Sequence, residues 1–153
     1  MSPRAACRLA ALGFTEVYDY VNGKSEWIGY GLATDGDNAH RATVASAVRD
    51  DVVSCRIDER VGPVRHRVER SPYGFALVMS GSGVLLGRLR KAVLDADPDA
   101  RAEAVMEPGP STVRPDTSSE RLAARLRERK LTTAIVTTPD GRLVGLVRSR
   151  DLG

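Results

Sequence analysis

From Val52 onward, short apolar blocks alternate with stretches of helical period. Phe75-Ala-Leu-Val-Met79 and Thr133-Ala-Ile-Val-Thr137 are compact runs of the strand-forming type. Each is followed by a turn, Ser80-Gly-Ser-Gly83 or Pro139-Asp-Gly141, and then a second apolar run, Val84–Leu89 or Leu143–Val147. Both pairs therefore read as hairpins. Helices are predicted before them, around Val61, Val64 and Val68 with Pro63 in the first turn, and around Leu122, Ala123 and Leu126. Thr117-Ser-Ser-Glu120 has the form of a capping box for the second helix. Short helical segments are expected at Arg90–Leu94 and Ser149–Leu152, and a connecting helix over Asp97–Met106, closed by Pro108-Gly-Pro110.

The two sets of elements are one pattern used twice. With an offset of 58 residues and no gap, 52–94 overlays 110–152 with 10 of 43 positions identical. The identities include Arg56/Arg114, Asp58/Asp116, Gly83/Gly141, Gly87/Gly145 and Arg90/Arg148. Each copy reads strand–helix–strand–strand–helix, an α/β (α+β) unit. At about 50 residues neither copy can bury its apolar sheet face alone, so the two are expected to pack together.

Composition narrows the function classes without naming one. The chain has 153 residues, 42% hydrophobic and 28% charged, with a formal net charge of +3. Residues 1–50 carry 5 basic and 6 acidic side chains, and the remainder 18 and 14, which is too mild a surplus to indicate a nucleic-acid binder. No apolar run approaches the ~20 residues that span a bilayer, and the first residues lack the apolar block of a secretory signal. Cys7 and Cys55 make no disulfide framework or zinc pattern, and His40 and His66 sit alone in polar surroundings. A reducing cytoplasm, no metal and no prosthetic group are the expectations. No nucleophile–base–orienter set assembles in 50–153, so the chain is not expected to be an enzyme.

The repeated segments resemble the two halves of a CBS (cystathionine-β-synthase) domain pair, or Bateman module. The resemblance rests on Val105-Met106, Thr112-Val-Arg-Pro-Asp116, Ala134-Ile-Val136, Asp140-Gly-Arg-Leu-Val-Gly-Leu-Val147 and Ser149-Arg-Asp-Leu152. It implies a tandem pair, with the first repeat at 51–97, a connecting segment at 98–109 and the second repeat at 110–153. It further implies a regulatory module that binds an adenosine-containing nucleotide (AMP, ADP, ATP or S-adenosylmethionine) between the halves and that forms a homodimer.

In that family an Asp ending a Gly-h-h-Thr/Ser-x-x-Asp motif holds the ribose hydroxyls, for which an acceptor-only carboxylate is suited. Here the motif falls on Gly145-Leu-Val-Arg148-Ser-Arg-Asp151, with Arg148 in the Thr/Ser position and Ser149 one place later. The resemblance thus implies a site of Asp151, Ser149 and Arg148 facing Ser54, Cys55, Gly74, Phe75 and Ala76, with Phe75 against the base, the Ala76 backbone at its edge and a phosphate contact from Arg148 or Ser149 at the start of the last helix. The first repeat reads Gly87-Arg-Leu-Arg90-Lys-Ala-Val93, with Val93 where the Asp belongs. A second, degenerate site of Arg90, Thr112, Thr133 and Ala134 follows. Structural readings stand beside these: helix capping for Asp151, core for Phe75, ion pairing for Arg90 and Arg148, and an inert buried thiol for Cys55.

Ahead of the repeats, Ala5–Leu12 reads as a helix ended by Gly13, Glu16–Val21 as a strand and Asn22-Gly23 as a turn. The order Gly13-Phe14, Val17-Tyr18, Gly23, Trp27 and Gly31-Leu32 resembles the C-terminal end of a rhodanese-like domain over 1–33. In that family the sulfur-accepting Cys lies in a loop just before this helix, whereas Cys7 falls within it. The segment is therefore expected to dock or pack and not to transfer sulfur. Residues 34–50 read as a linker with room for a short helix. The alternative function is a ligand-free structural or interaction module whose inactive sulfurtransferase-like segment meets a protein partner. Neither membrane nor nucleic acid is expected as a partner.

Overall fold

The computed structural model describes residues 3–18, 23–36, 41–95 and 97–152. Two helices come first, α1 (Pro3–Ala11) and α2 (Gly23–Gly29), then a 3-10 turn at Val44–Ala47. The first repeat supplies β1 (Ser54–Arg56), α3 (Val61–Glu69), β2 (Phe75–Met79), β3 (Leu85–Arg90) and α4 (Lys91–Leu94). Next come α5 (Ala102–Val105) and β4 (Glu107–Pro108). The second repeat supplies β5 (Thr112–Val113), α6 (Ser119–Glu128), β6 (Thr133–Thr137), β7 (Leu143–Arg148) and a 3-10 turn at Ser149–Asp151.

The strands form two sheets, β1-β2-β3-β4 and β5-β6-β7. In each, the first pairing is parallel and the hairpin antiparallel, with a register shift at Val78/Met79 and at Val136/Thr137. These shifts lie 58 residues apart, as do the turn glycines Gly83 and Gly141, whose φ values of 83° and 84° suit a residue without a Cβ.

Side chains alternate along the strands and so divide the interior into three parts. Ala76, Val78 and Leu89 pack on Val61, Val64 and Val68 of α3. Val136 and Val147 pack on Leu122 and Leu126 of α6. The opposite faces of the sheets meet in a seam of Tyr73, Leu77, Ile135 and Leu146, flanked by Phe75, Met79, Leu85 and Leu143. Val84 bridges to Arg142, its own copy at the 58-residue offset, which is what a local two-fold axis between the repeats requires.

Segments on either side of the first repeat cross over. Arg49 pairs with Leu146 in β7 through two backbone hydrogen bonds of 2.8 Å, while Glu107 pairs with Arg88 in β3. Val44 N–H donates to the Thr117 carbonyl and Ala45 N–H to Pro115, and in the same way Ala102 donates to Glu59 and Glu103 to Ile57. Residues 42–49 thus complete the second sheet, and residues 100–108 complete the first.

The crossing accounts for two departures from the sequence reading. The helix expected over Asp97–Met106 is confined to α5, because the carbonyls of Pro98 and Ala100 accept the otherwise orphaned amides of Gly62 and Val61 at the start of α3. The N-cap of α6 is Ser118 instead of Thr117, whose carbonyl is tied to Val44, and the Ser118 hydroxyl accepts from the Arg121 amide.

Near the N-terminus, α1 ends as expected with Gly13 at φ 94°. The predicted strand is absent over residues 16–18, and residues 19–21 lie outside the described set, as do Asn22 of the turn and His40. Lys24–Gly29 is helical, and the chain folds back beyond it, with Trp27 Nε1 donating to the Ala33 carbonyl at 2.8 Å. No helix of the described residues is long and apolar enough to cross a membrane. None of their His, Cys, Asp and Glu side chains cluster in threes fit to hold a metal ion.

Candidate functional site

A groove of about 350 Å³ opens where the repeats meet. Pro72 and Tyr73 form its wall on the first repeat, and Thr132, Thr133, Arg148, Ser149 and Arg150 its wall on the second. Antiparallel pairing of β6 with β7 sets Thr133 directly opposite Arg148. Tyr73 precedes β2 and enters the seam, 5% exposed, which brings its ring under the Arg148 guanidinium, 6.0 Å from Cζ to the ring centroid. The phenol donates to Asp51 Oδ1 at 2.7 Å, and burial together with that carboxylate raises its pKa. The volume is at the lower end of what small-molecule sites occupy, roughly 300–1,000 Å³.

Asp151 stands behind this wall and does not line the groove. Its Oδ2 accepts from Arg49 Nε at 2.7 Å and from Arg148 Nε at 3.0 Å. These two hydrogen bonds hold the carboxyl down to about 2. The ion pairs therefore persist above the ordinary carboxylate range and are lost only as pH falls through the lowered value. Thermal melts between about pH 4 and pH 2 are accordingly expected to fall more steeply for the wild type than for Asp151→Asn; parallel curves would show that the triad contributes no stability.

The other implied site residues are dispersed. Ser54 opens β1 opposite Leu77 on an exposed edge. Cys55 and Ala76 lie in the α3 core, 4% and 0% exposed, so neither side chain reaches the groove. Burial pushes the Cys55 thiol up to about 11, which leaves it an unreactive apolar filler. Gly74 is exposed, and Phe75 packs at the seam, tilted against Tyr73 and covered by the Arg88 guanidinium.

In the implied degenerate site, Thr133 belongs with Arg148 instead of Arg90, Ala134 packs in the α6 core, and Thr112 is spent pairing with Ile135. Arg90 and Arg88 both engage Glu107, at 2.7 Å and 3.0 Å. The first repeat therefore replaces Asp151 by Val93 and restores the lost carboxylate by placing Glu107 where the second has Arg49. His66 is exposed, its Nδ1 3.4 Å from Glu69 Oε2.

The residues that sequence reasoning missed are Arg49, Asp51 and Tyr73. Arg49 lies in the stretch read as a linker, 102 positions from the carboxylate it binds, and no local spacing marks such a contact. Tyr73 was legible only as the aromatic just before a strand.

Comparison with known proteins agrees with this architecture. Residues 102–152 match the CBS domain family. The cytosolic domain of the Mg2+ channel MgtE, solved in complex with ATP, is 26% identical over 74% of this chain with a TM-score of 0.64, and the chain spans 49% of its length. The CBS domains of a Streptococcus pneumoniae transcriptional regulator are 19% identical over 72% of this chain and 96% of their own, with a TM-score of 0.65. A CBS domain pair in complex with 5′-methylthioadenosine and S-adenosyl-L-methionine is 15% identical over 73% of this chain and 93% of its own, with a TM-score of 0.59. Among proteins of curated function, none matches the sequence.

None of these likenesses supports the expected rhodanese-like remnant at 1–33, where the described residues form helices and no strand. Two sheets packed about a local two-fold axis, with crossed flanking segments, give this chain the fold of a CBS domain pair, and its residues 102–152 match the CBS domain family.

Proposed function

We propose that the chain is a non-catalytic regulatory module that binds an adenosine-containing nucleotide in the groove between its repeats. The observation that carries this reading is the groove itself, which exists only where Pro72–Tyr73 and Arg148–Arg150 come together from different repeats. A ligand there touches both halves, so binding shifts whatever equilibrium changes their packing. The relatives solved with ATP and with S-adenosyl-L-methionine support the ligand class. A homodimer through the paired repeats and a cytoplasmic setting belong to the same proposal.

A thermal-shift panel of AMP, ADP, ATP, S-adenosylmethionine and NAD tests it. At a hundredfold excess over Kd, a ligand is expected to raise the melting temperature by about 5 °C or more. A panel without any shift would sink the nucleotide reading. The interaction reading would then take precedence, because Leu12, Phe14 and Tyr18 are 62%, 62% and 81% exposed ahead of the repeats.

A further inference from the structure

We infer that the chain carries a second ligand site, apart from the groove between the repeats, for an α-amino acid with an aliphatic side chain. The site lies between α2 and the β6–β7 hairpin, where Glu26 and Tyr30 face Arg142, Leu143 and Val144 across a cavity of about 310 Å³. Helix α2 is seated there by Ser25, whose hydroxyl donates to Asp116 Oδ1 at 2.9 Å, and by Gly29, where a Cβ would come within 3.1 Å of Pro115 Cγ. Leu143 opens β7 and Arg148 ends it, so roughly 16 Å of strand separates this cavity from the groove.

Two opposite charges line the cavity without meeting. Glu26 is 6% exposed, yet it forms no ion pair among the described residues, and its carboxylate accepts one hydrogen bond, from the Tyr30 phenol at 3.2 Å. A buried carboxylate in that condition is unfavourable until a cation reaches it. Arg142 gives Nε to Asp140 at 2.9 Å, and its two Nη groups hold no hydrogen bond among the described residues. That leaves a planar fork open to a carboxylate. An ammonium against Glu26 and a carboxylate against Arg142 satisfy both groups at once, and an α-amino acid carries those two charges on one carbon. Leu143 and Val144 supply an apolar wall, and no third charged residue lines the cavity, so the side chain it takes is aliphatic.

The hairpin does not need these charges for its own sake. In the first repeat the Ser80 hydroxyl accepts from the Val84 amide at 3.0 Å, just as the Thr138 hydroxyl accepts from the Arg142 amide at 3.1 Å. Ser82 and Val84 stand there in the places of Asp140 and Arg142, so the same turn closes without an ion pair. Occupancy of the cavity would fasten α2 to the second repeat.

The test is calorimetric titration of the whole chain with L-leucine, N-acetyl-L-leucine and L-leucinamide, repeated on Glu26→Gln and Arg142→Gln. Each analogue lacks one of the two charges, so leucine is expected to bind the wild type at least about tenfold more tightly than either, the ordinary size of hydrogen bonds to a charged group. Glu26→Gln should lose that factor for leucine and leucinamide and bind N-acetylleucine as the wild type does. Arg142→Gln should lose it for leucine and N-acetylleucine and leave leucinamide unchanged. Trp27, the one tryptophan of the chain, follows Glu26 on α2, and its emission should change with the same Kd. Absence of leucine binding, or leucine bound no more tightly than its analogues, overturns the site, and these outcomes are read on the wild type whether or not a variant folds. Leucine binding without a change in Trp27 emission places the ligand elsewhere and also overturns it. The nucleotide reading of the groove stands or falls separately.

Discussion

Gly145→Ala is expected to be the most damaging single-methyl change in this protein, with a cost of about 3 kcal/mol or more and a melting point lowered by about 6–12 °C. A Cβ at Gly145 would lie 2.3 Å from the Arg49 carbonyl oxygen and 2.6 Å from Val48 Cγ1. The nearer neighbour is backbone and cannot rotate away. That carbonyl accepts from the Leu146 amide, so relief would break the bridge that seats residues 42–49 on the second sheet. The backbone at Gly145, with φ 155°, is itself poorly suited to alanine.

Two other glycines calibrate the expectation. At Gly87, in the equivalent place, the methyl would meet Met106 Sδ at 2.5 Å and the Glu107 carbonyl at 2.9 Å. A thioether yields more readily than a carbonyl, so Gly87→Ala should cost less. At Gly81 nothing lies within 4 Å, and alanine there should be close to neutral. Thermal melts of the three variants check the order, and a Gly145→Ala protein as stable as Gly81→Ala would show that the crossed arm is not held as described.

Leu77→Ala should cost about 2–5 kcal/mol, because a fully buried leucine in a packed interior leaves a cavity that its surroundings only partly fill. The site is informative beyond its size. Leu77 lies in the seam with Tyr73, Ile135 and Leu146, so the cavity opens between the repeats and not inside either one. Each repeat also holds the other's flanking strand. Equilibrium urea unfolding should accordingly move to a lower midpoint while remaining a single transition by fluorescence and circular dichroism. Two separated transitions in the variant would mean that the repeats are stable units joined loosely. That outcome would also weaken any role for ligand binding in changing their packing.

The hairpins were legible in the sequence because strand content, turn residues and the 58-residue offset agree over Phe75–Leu89 and Thr133–Val147. The helices around Val64 and Leu122 were legible for a similar reason, since their apolar spacing matches the face they bury. The crossing of the flanking segments was not. Across 42–51 and 100–109 only Ala42 and Ala100 coincide, although the backbone bonds of the two segments are equivalent. Main-chain amides and carbonyls make those bonds, and nearly any side chain can accompany them.

The candidate site divides along the same line. Arg148 and Ser149 were recoverable from their place in a repeated motif, and they do line the groove. The disposition of Asp151 was not recoverable, because it turns on Arg49, which arrives from the crossed segment. Cys55 was placed near the ligand by resemblance, yet strand alternation sends its side chain toward α3.

The sequence by itself determined that one strand–helix–strand–strand–helix unit occurs twice and that each copy has an apolar sheet face it cannot cover alone. Those properties are written in apolar spacing, turn chemistry and length, which act over a few residues at a time. Only the tertiary structure decided which flanking segment completes which sheet, which arginines meet Asp151, and that the wall of the groove carries positive charge. These depend on contacts between residues far apart in the chain, and there the geometry of the packed repeats, not local preference, sets which groups come within a few ångströms.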